Sequence, residues 1–383
     1  MPISDSEWLS SISRHVTWDA VVLGAGPAGA IAARQLAIQD RKVLLVEKSP
    51  LPRAKVCGGC LGGAALDVLE DVGLGDLPAN CGGVQLQKMQ LASGGRVVQI
   101  NVGRRVAVSR QTFDAALVRE ATQAGAVLCS ETVGSLKSPI ESNARAIELR
   151  HRDHVTTVRA RAVIVATGLA KSPPDFVTQT MQRSRIGLGA ILDGASTCGE
   201  PGTLYMACDT SGYVGIAPVE EGRLDIAAAV DAAALCAALS PGKLVSGILS
   251  NGGLPVPANL DEADWRGTPP LTRQTRPLGS HRCLLVGDAA GYVEPFTGEG
   301  IGWALQSAVL ACSLLTTQRD EWDVELPGQW KKLHNRAFGR HQRNCRRIVQ
   351  LLRNKTVRTV VLWSLRQAPI LARPVVRRLD HLS

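Results

Sequence analysis

The apolar positions of this chain fall into short unbroken runs set beside glycine turns and helix-length stretches. Asp19-Ala20-Val21-Val22-Leu23 has the length of a buried strand; Gly24-Ala25-Gly26-Pro27-Ala28-Gly29 follows at once, and AIAARQLAIQ then takes helical spacing. A second run, Lys42-Val43-Leu44-Leu45-Val46, ends on Glu47. Far downstream Cys283-Leu284-Leu285-Val286 runs into a glycine-rich segment, from which GIGWALQSAVLACSLL reads as a helix. Nowhere do 18 apolar residues follow one another, and the N-terminal MPISDSEWLSSISRH has early acids and no apolar core, so neither a spanning helix nor a signal peptide is expected.

Strand, glycine turn, helix, strand and acid make up a dinucleotide-binding unit. Gly24 permits the tight turn, Gly26 lets backbone approach a pyrophosphate, and Gly29 lets helix and strand pack closely. The helix N-terminus then offers its free N–H groups to the phosphates. Glu47, 18 residues beyond Gly29, can accept hydrogen bonds from a ribose diol. An acid there favours a free 2′-hydroxyl, as in NAD or the adenosine of FAD. The second segment chooses between them. A strand entering Gly287-Asp288 places a carboxylate at a strand end, where ribityl hydroxyls of a flavin can meet it. The helix after Gly298 would point its N-terminus at the pyrimidine side of the isoalloxazine and favour the charge of reduced flavin.

Gly287 through Ile301 matches GDAAGxxxPxTGEGI, Lys55-Val56-Cys57-Gly58-Gly59 matches a basic residue before CGG, and Val108-Ser109-Arg110-Gln111-Thr112-Phe113-Asp114 has the form of an arginine-bearing strand-to-helix junction. In these motifs, over about residues 19 to 315, the sequence resembles the geranylgeranyl reductase-like branch of the p-hydroxybenzoate-hydroxylase-type FAD-dependent oxidoreductase superfamily. The resemblance implies that Cys57 and Gly58 lie near the flavin, Arg110 toward the dinucleotide and Val133 beside the adenine. Ala162 to Gly168 would be a third nucleotide-side strand, preceded by a hairpin from Ala144 to Arg161 that turns at Arg152-Asp153. The cofactor-binding set is then Gly24, Gly26, Pro27, Ala28, Gly29, Glu47, Lys48, Lys55, Cys57, Gly58, Arg110, Val133, Thr167, Gly168, Gly287, Asp288, Pro295, Gly298, Gly300 and Ile301. Two departures from the pattern matter. ATGLAKSPPDF stands where monooxygenases carry a GADG-type motif. Gly215 and Ala217 stand where prenyl reductases carry a tryptophan and a bulky aromatic, which implies a wider chamber.

The implied fold is α/β (α+β): a Rossmann-like FAD-binding domain of the glutathione-reductase/p-hydroxybenzoate-hydroxylase type, a smaller antiparallel-sheet substrate domain and a helical C-terminal tail. We assign 15–80, 97–172 and 268–320 to the first, 173–267 to the second and 321–383 to the third. Ten cysteines in 383 residues read as intracellular thiols. Cys57 and Cys60 alone have CxxC spacing, and no second pair or histidine follows to hold a metal. The net charge of +9 resides in the tail, where residues 331–383 hold 14 Lys and Arg against Asp380. Arg340, Arg343, Arg346, Arg347, Arg353 and Arg358 interleave there with Ile348, Leu351, Leu352, Val360, Val361 and Trp363, a pattern suited to an anionic membrane surface or to a solvated face of a helix pair. No nucleic-acid motif accompanies the charge.

Function follows from the cofactor. The first expectation is a cytoplasmic, membrane-associable FAD-dependent oxidoreductase that reduces a prenyl or long-alkyl substrate by hydride transfer through flavin N5, with NADPH, NADH or another donor supplying electrons. The alternative is a monooxygenase acting on an aromatic or polyketide-type substrate through C4a-hydroperoxyflavin; a flavin-bound lipid escort is the third. Cys57 is the candidate proton donor and Tyr213 the candidate hydrogen-bond donor to a substrate oxygen, with Tyr205 beside it. His151, His154 and His281 lie in polar, turn-like contexts that suggest exposure.

Overall fold

A computed structural model of the protein describes residues 8, 12, 17–137, 143–193, 200–294, 296, 298–316 and 322–368. Its nucleotide side is a mostly parallel sheet ordered Cys283–Leu285, His154–Val165, Thr17–Leu23, Val43–Val46, Val127–Cys129, with the short strand Gly279–Ser280 on one edge. Every residue of Val43–Val46 is buried, as expected for a strand covered on both faces. The helix Pro27–Ala37 packs on this sheet between the helices Arg110–Gln123 and Gly300–Thr316. Its alanines are buried, so the three helices approach closely. The hairpin turns where expected, with His151 opposite His154.

A second sheet covers the cavity. Its order is Arg266–Pro270, Ile186–Leu192, Leu224–Val230, Gly212–Pro218, Thr203–Cys208, Val84–Ser93, Arg96–Ala107, Cys60–Leu61. All neighbours are antiparallel except Thr203–Cys208 beside Val84–Ser93. Residues 97–107 and 268–270 thus hydrogen-bond into the covering sheet, although the division drawn from sequence placed them with the nucleotide segments. The long hairpin 84–107 has strand length and alternation that suit either sheet; its partner strand decides. One face of the covering sheet buries Leu188, Val214, Ile216, Ile226 and Ala228 against Val245, Ile248 and Leu249 of the helix Pro241–Gly252. The other face carries Gly215, Ala217, Ala227 and Ala229 toward a cavity. Strand alternation separates the two sets.

The C-terminal region forms the helices Leu326–Arg353 and Lys355–Gln367, joined at Asn354, whose side chain caps the second by accepting from the Thr356 and Val357 amides. Among the described residues no helix is long and apolar enough to cross a membrane. Two sequence expectations change here. His151 is buried and stacks on Trp8 at 5.2 Å between ring centroids. Arg358 is buried as well, donating to the Leu352 and Arg353 carbonyls at 2.7 and 3.1 Å. It is a packing residue, absent from the basic surface, because those two carbonyls at the end of the long helix need a donor.

Candidate active site

Gly24 turns the chain with φ +102°, and a Cβ there would lie 2.4 Å from the Ala166 carbonyl oxygen. At Gly29 the constraint is tighter still, with a Cβ 1.7 Å from the Gly24 oxygen. Helix and strand can meet this closely only with glycine at both places. Glu47, buried at the end of its strand, accepts from the Ala25 amide at 2.9 Å, the Ser49 amide at 3.0 Å and Arg53 Nη2 at 3.0 Å. Burial alone would raise its pKa, but Arg53 and the two amides outweigh it and hold the carboxyl below its ordinary range.

Arg53 also donates to Asp114 at 3.0 Å, and Arg110 grips the same carboxylate with two bonds of 2.7 and 2.8 Å. Burial disfavours the Arg110 cation, yet Asp114 more than offsets it. The two guanidinium groups converge on Gly26, where a Cβ would lie 3.6 Å from Arg110 and 3.8 Å from Arg53. A bare glycine, a helix N-terminus and two fixed cations form a cradle that fits a pyrophosphate. Lys55 stands nearby, its pKa lowered by burial and by Arg53.

Across the cavity Asp288 follows Gly287 at the end of the strand Cys283–Leu285. Burial raises it to about 6 against the pull of Arg110 and Arg273. Hydroxyl donors from a ribityl chain would satisfy this carboxylate, so the residues present fit FAD here too. Gly298, Gly300 and Ile301 open the helix Gly300–Thr316 on the same cavity, and Arg105 reaches within 3.3 Å of a Cβ at Gly298. The thiol of Cys57 is raised by burial, and Cys60 is pushed up to about 12 for the same reason. Burial thus disfavours the thiolate form of both.

One cavity of about 1320 Å³ is lined by Gly24, Gly26, Pro27, Ala28, Glu47, Lys48, Lys55, Cys57, Gly58, Arg110, Val133, Thr167, Gly168, Gly287, Asp288, Gly298, Gly300, Ile301 and Tyr213. Gly29 lies behind the wall, where it sets the helix–strand distance. Pro295 lies outside the described residues. Tyr205 is buried with the helix-facing cluster, its hydroxyl accepting from the Glu200 amide at 2.5 Å. Tyr213 meets Phe296 edge-to-face at 5.1 Å and has the Arg185 guanidinium 5.7 Å from its ring centre. Its hydroxyl is buried without a partner among the described residues.

Sequence reasoning missed Arg53, Asp114, Arg105, Tyr292, Phe296 and Asp225. Asp114 had a signal, since it stands four residues after Arg110 on a helix. Asp225 had one as well: a carboxylate within the apolar strand Leu-Asp-Ile-Ala-Ala-Ala-Val. Arg53 and Arg105 had none, because no local pattern states where the end of a long side chain on a loop or strand reaches.

The model of an FAD binding domain matches residues 17–189. The chain is 29% identical to digeranylgeranylglycerophospholipid reductase 1 of Methanopyrus kandleri, over 80% of this chain and 86% of that protein. It is 26% identical to menaquinone reductase of Mycobacterium tuberculosis, over 87% and 84%. To conditioned medium factor receptor 1 of Dictyostelium discoideum it is 25% identical over 80% of this chain, and it spans only 65% of that longer protein. Among solved structures, a geranylgeranyl bacteriochlorophyll reductase-like protein from Thermoplasma acidophilum superimposes with a TM-score of 0.71, at 19% identity over 92% of this chain and 91% of that one. A p-nitrophenol 4-monooxygenase from Pseudomonas putida gives 0.79, at 12% identity over 96% and 98%, a likeness of fold alone. The chain carries an FAD-binding domain and is an FAD-dependent oxidoreductase, similar in sequence to reductases of the geranylgeranyl reductase-like branch.

Proposed function

We propose that the protein reduces a carbon–carbon double bond in a prenyl or long-alkyl, lipid-like substrate. The observation that carries this reading is the wall of the cavity beyond the cofactor residues. Gly215, Ala217, Ala227 and Ala229 leave it wide, Leu204, Met206 and Phe296 make it apolar, and Ile348, Leu352, Val357, Val361 and Leu365 extend it along the C-terminal helices. Such a lining desolvates a hydrocarbon chain and gives it few polar anchors. The names of the relatives, reductases of a prenylated lipid and of menaquinone, support the same substrate class.

When bound, FAD would supply the hydride, with NADPH, NADH or another donor as the source of electrons. The side chains do the rest. Arg110 and Arg53 would hold the pyrophosphate, Glu47 the ribose and Asp288 the ribityl chain, while the apolar wall excludes water. Cys57, protonated and on the cavity wall, gives a proton to the substrate carbon that does not receive the hydride. The buried Tyr213 hydroxyl donates a hydrogen bond to a substrate oxygen where one is present.

Leu351, Val360 and Trp363 are exposed on the C-terminal helices, among Arg346, Arg347, Arg353, Lys355 and Arg366. We place this edge against an anionic bilayer from which the substrate enters. Anaerobic turnover with dithionite-reduced protein and a prenylated glycerolipid, which has no quinone ring for dithionite to reduce, tests the reading by mass spectrometry. A product heavier by two hydrogens is expected. Product that forms only with O2 and carries an oxygen atom from it would instead establish the monooxygenase reaction.

A further inference from the structure

Two buried carboxyls, Glu220 and Asp225, stand five residues apart and meet opposite surroundings. Glu220 accepts from the Ser109 amide at 2.9 Å, the Thr112 hydroxyl at 2.6 Å, Arg223 Nη2 at 2.6 Å and the Ser109 hydroxyl. Burial pushes it up, but the donors from Ser109 and Thr112 prevail and keep it ionised. Asp225 opens onto a different neighbour. Strand alternation puts it on the face of Ala227 and Ala229, and its Oδ2 stands where a Cβ on Gly59 would come within 2.9 Å. Ala227 in turn lies 3.7 Å from a Cβ on Gly58. The strand therefore packs directly on the loop Cys57-Gly58-Gly59-Cys60, with Asp225 just behind the cavity wall.

The charged and titratable groups around Asp225 are Glu220 and Arg223 from the turn before it, Arg110 from the helix N-terminus, and Cys57 and Cys60 from the loop. Burial raises the carboxyl first and ionised Glu220 raises it further, with Arg110 and Arg223 opposing, to about 8. Adjacent carboxyls driven to opposite protonation states are the pattern by which an acid is kept loaded at neutral pH.

We propose that Asp225 is the buried acid that returns a proton to Cys57 after the cysteine has given its own to the substrate. The inference rests on the reductase reading above. Saturating a double bond adds a hydride, drawn from reduced FAD, and a proton, drawn from the protein. The Sγ–H bond of Cys57 breaks as the new C–H bond forms, leaving a thiolate within the field of Arg110. The Oδ–H bond of Asp225 then breaks as Sγ–H re-forms, and solvent later reprotonates the carboxylate. Burial disfavours the charged form of both groups, so a thiolate left on Cys57 favours recovery of a proton from its buried neighbour. Asp225 acts through Cys57, as a positioning residue for its proton.

The test compares the oxidised holoenzyme with Asp225→Asn. Iodoacetamide alkylation of Cys57 is followed across the pH range by peptide mass spectrometry, alongside kcat and KM for the prenyl substrate. In the wild type the alkylation profile should bend near pH 8, as the new Asp225 charge holds back the thiolate, and kcat should fall through the same point. In Asp225→Asn the bend disappears, the cysteine alkylates several-fold faster on the alkaline side, and kcat drops roughly tenfold or more with little change in KM. Asp225→Glu should restore a bend; it also serves as the comparison if the Asn variant fails to retain FAD. Superimposable wild-type and variant profiles overturn the proposal. A wild type that shows the bend but adds no hydrogen to any prenyl substrate overturns the reductase reading and the destination of the proton, while leaving the shared proton of Asp225 and Cys57 measured.

Discussion

The two ends of the cavity are built on opposite principles. At the nucleotide end four charged side chains, Glu47, Arg53, Arg110 and Asp114, are tied to one another by bonds of 2.7 to 3.0 Å. At the covering end most residues facing the cavity are apolar and several are small, and the buried Tyr213 hydroxyl has no partner among the described residues. A charged cofactor of fixed shape rewards preorganised partners, since each ion pair is set up during folding and not at the moment of binding. A flexible hydrocarbon chain rewards space and dryness.

That contrast can be broken at several points. The largest effect belongs to Gly29→Ala, because its Cβ would meet the Gly24 oxygen at 1.7 Å and no side-chain movement relieves a backbone overlap. Loss of soluble, yellow protein is expected. Asp288→Ala should leave a folded chain by circular dichroism but weaken FAD at least about a hundredfold by fluorescence titration, of the order expected when a buried carboxylate that would accept from the cofactor's hydroxyls is removed. A yellow variant at full occupancy would refute the ribityl assignment.

On the covering side, Gly215→Trp fills open space, since the nearest atom to a Cβ there is 3.8 Å away. FAD affinity should hold while KM for long prenyl chains rises about tenfold, roughly 1.4 kcal/mol, and short-chain analogues are spared. Asp225 gives a stability test with a defined sign. Its folded-state pKa of about 8 exceeds the ordinary 3.8, so its contribution is present below about pH 4 and lost as pH rises through 8. Thermal melts should therefore show Asp225→Asn gaining on the wild type from pH 5 to pH 8, and parallel curves would contradict the assignment. The smallest effect is expected of Tyr213→Phe. Removing an unpartnered buried hydroxyl should stabilise the protein by about 1 kcal/mol and change only the KM of oxygen-bearing substrates.

Sequence made the nucleotide end legible because its parts are local. Gly24 to Gly29, Glu47 and Gly287-Asp288 each lie within one strand–turn–helix segment whose order states its geometry. The covering end was legible only in outline. Gly215 and Ala217 signalled width, but Phe296 and the chamber residues of the C-terminal helices come together through pairing that no local pattern encodes. The hairpin 84–107 shows why: its alternation suits either sheet, and its tertiary partner, Thr203–Cys208, decides. His151 looked exposed for the same reason, since the polar neighbours Arg150 and Arg152 conceal the aromatic ring of Trp8 above it.

The glycine and alanine face of the covering sheet also constrains how this enzyme can diversify. Its positions already hold the two smallest side chains, so almost any single substitution at 215, 217, 227 or 229 subtracts volume and almost none adds it. On the reductase reading, random drift at these sites runs in one direction, toward a narrower chamber that takes fewer chains. A lineage that had specialised by this route would need coordinated reversions to become a generalist again, and a saturation library at these four codons should yield narrowed variants far more often than broadened ones.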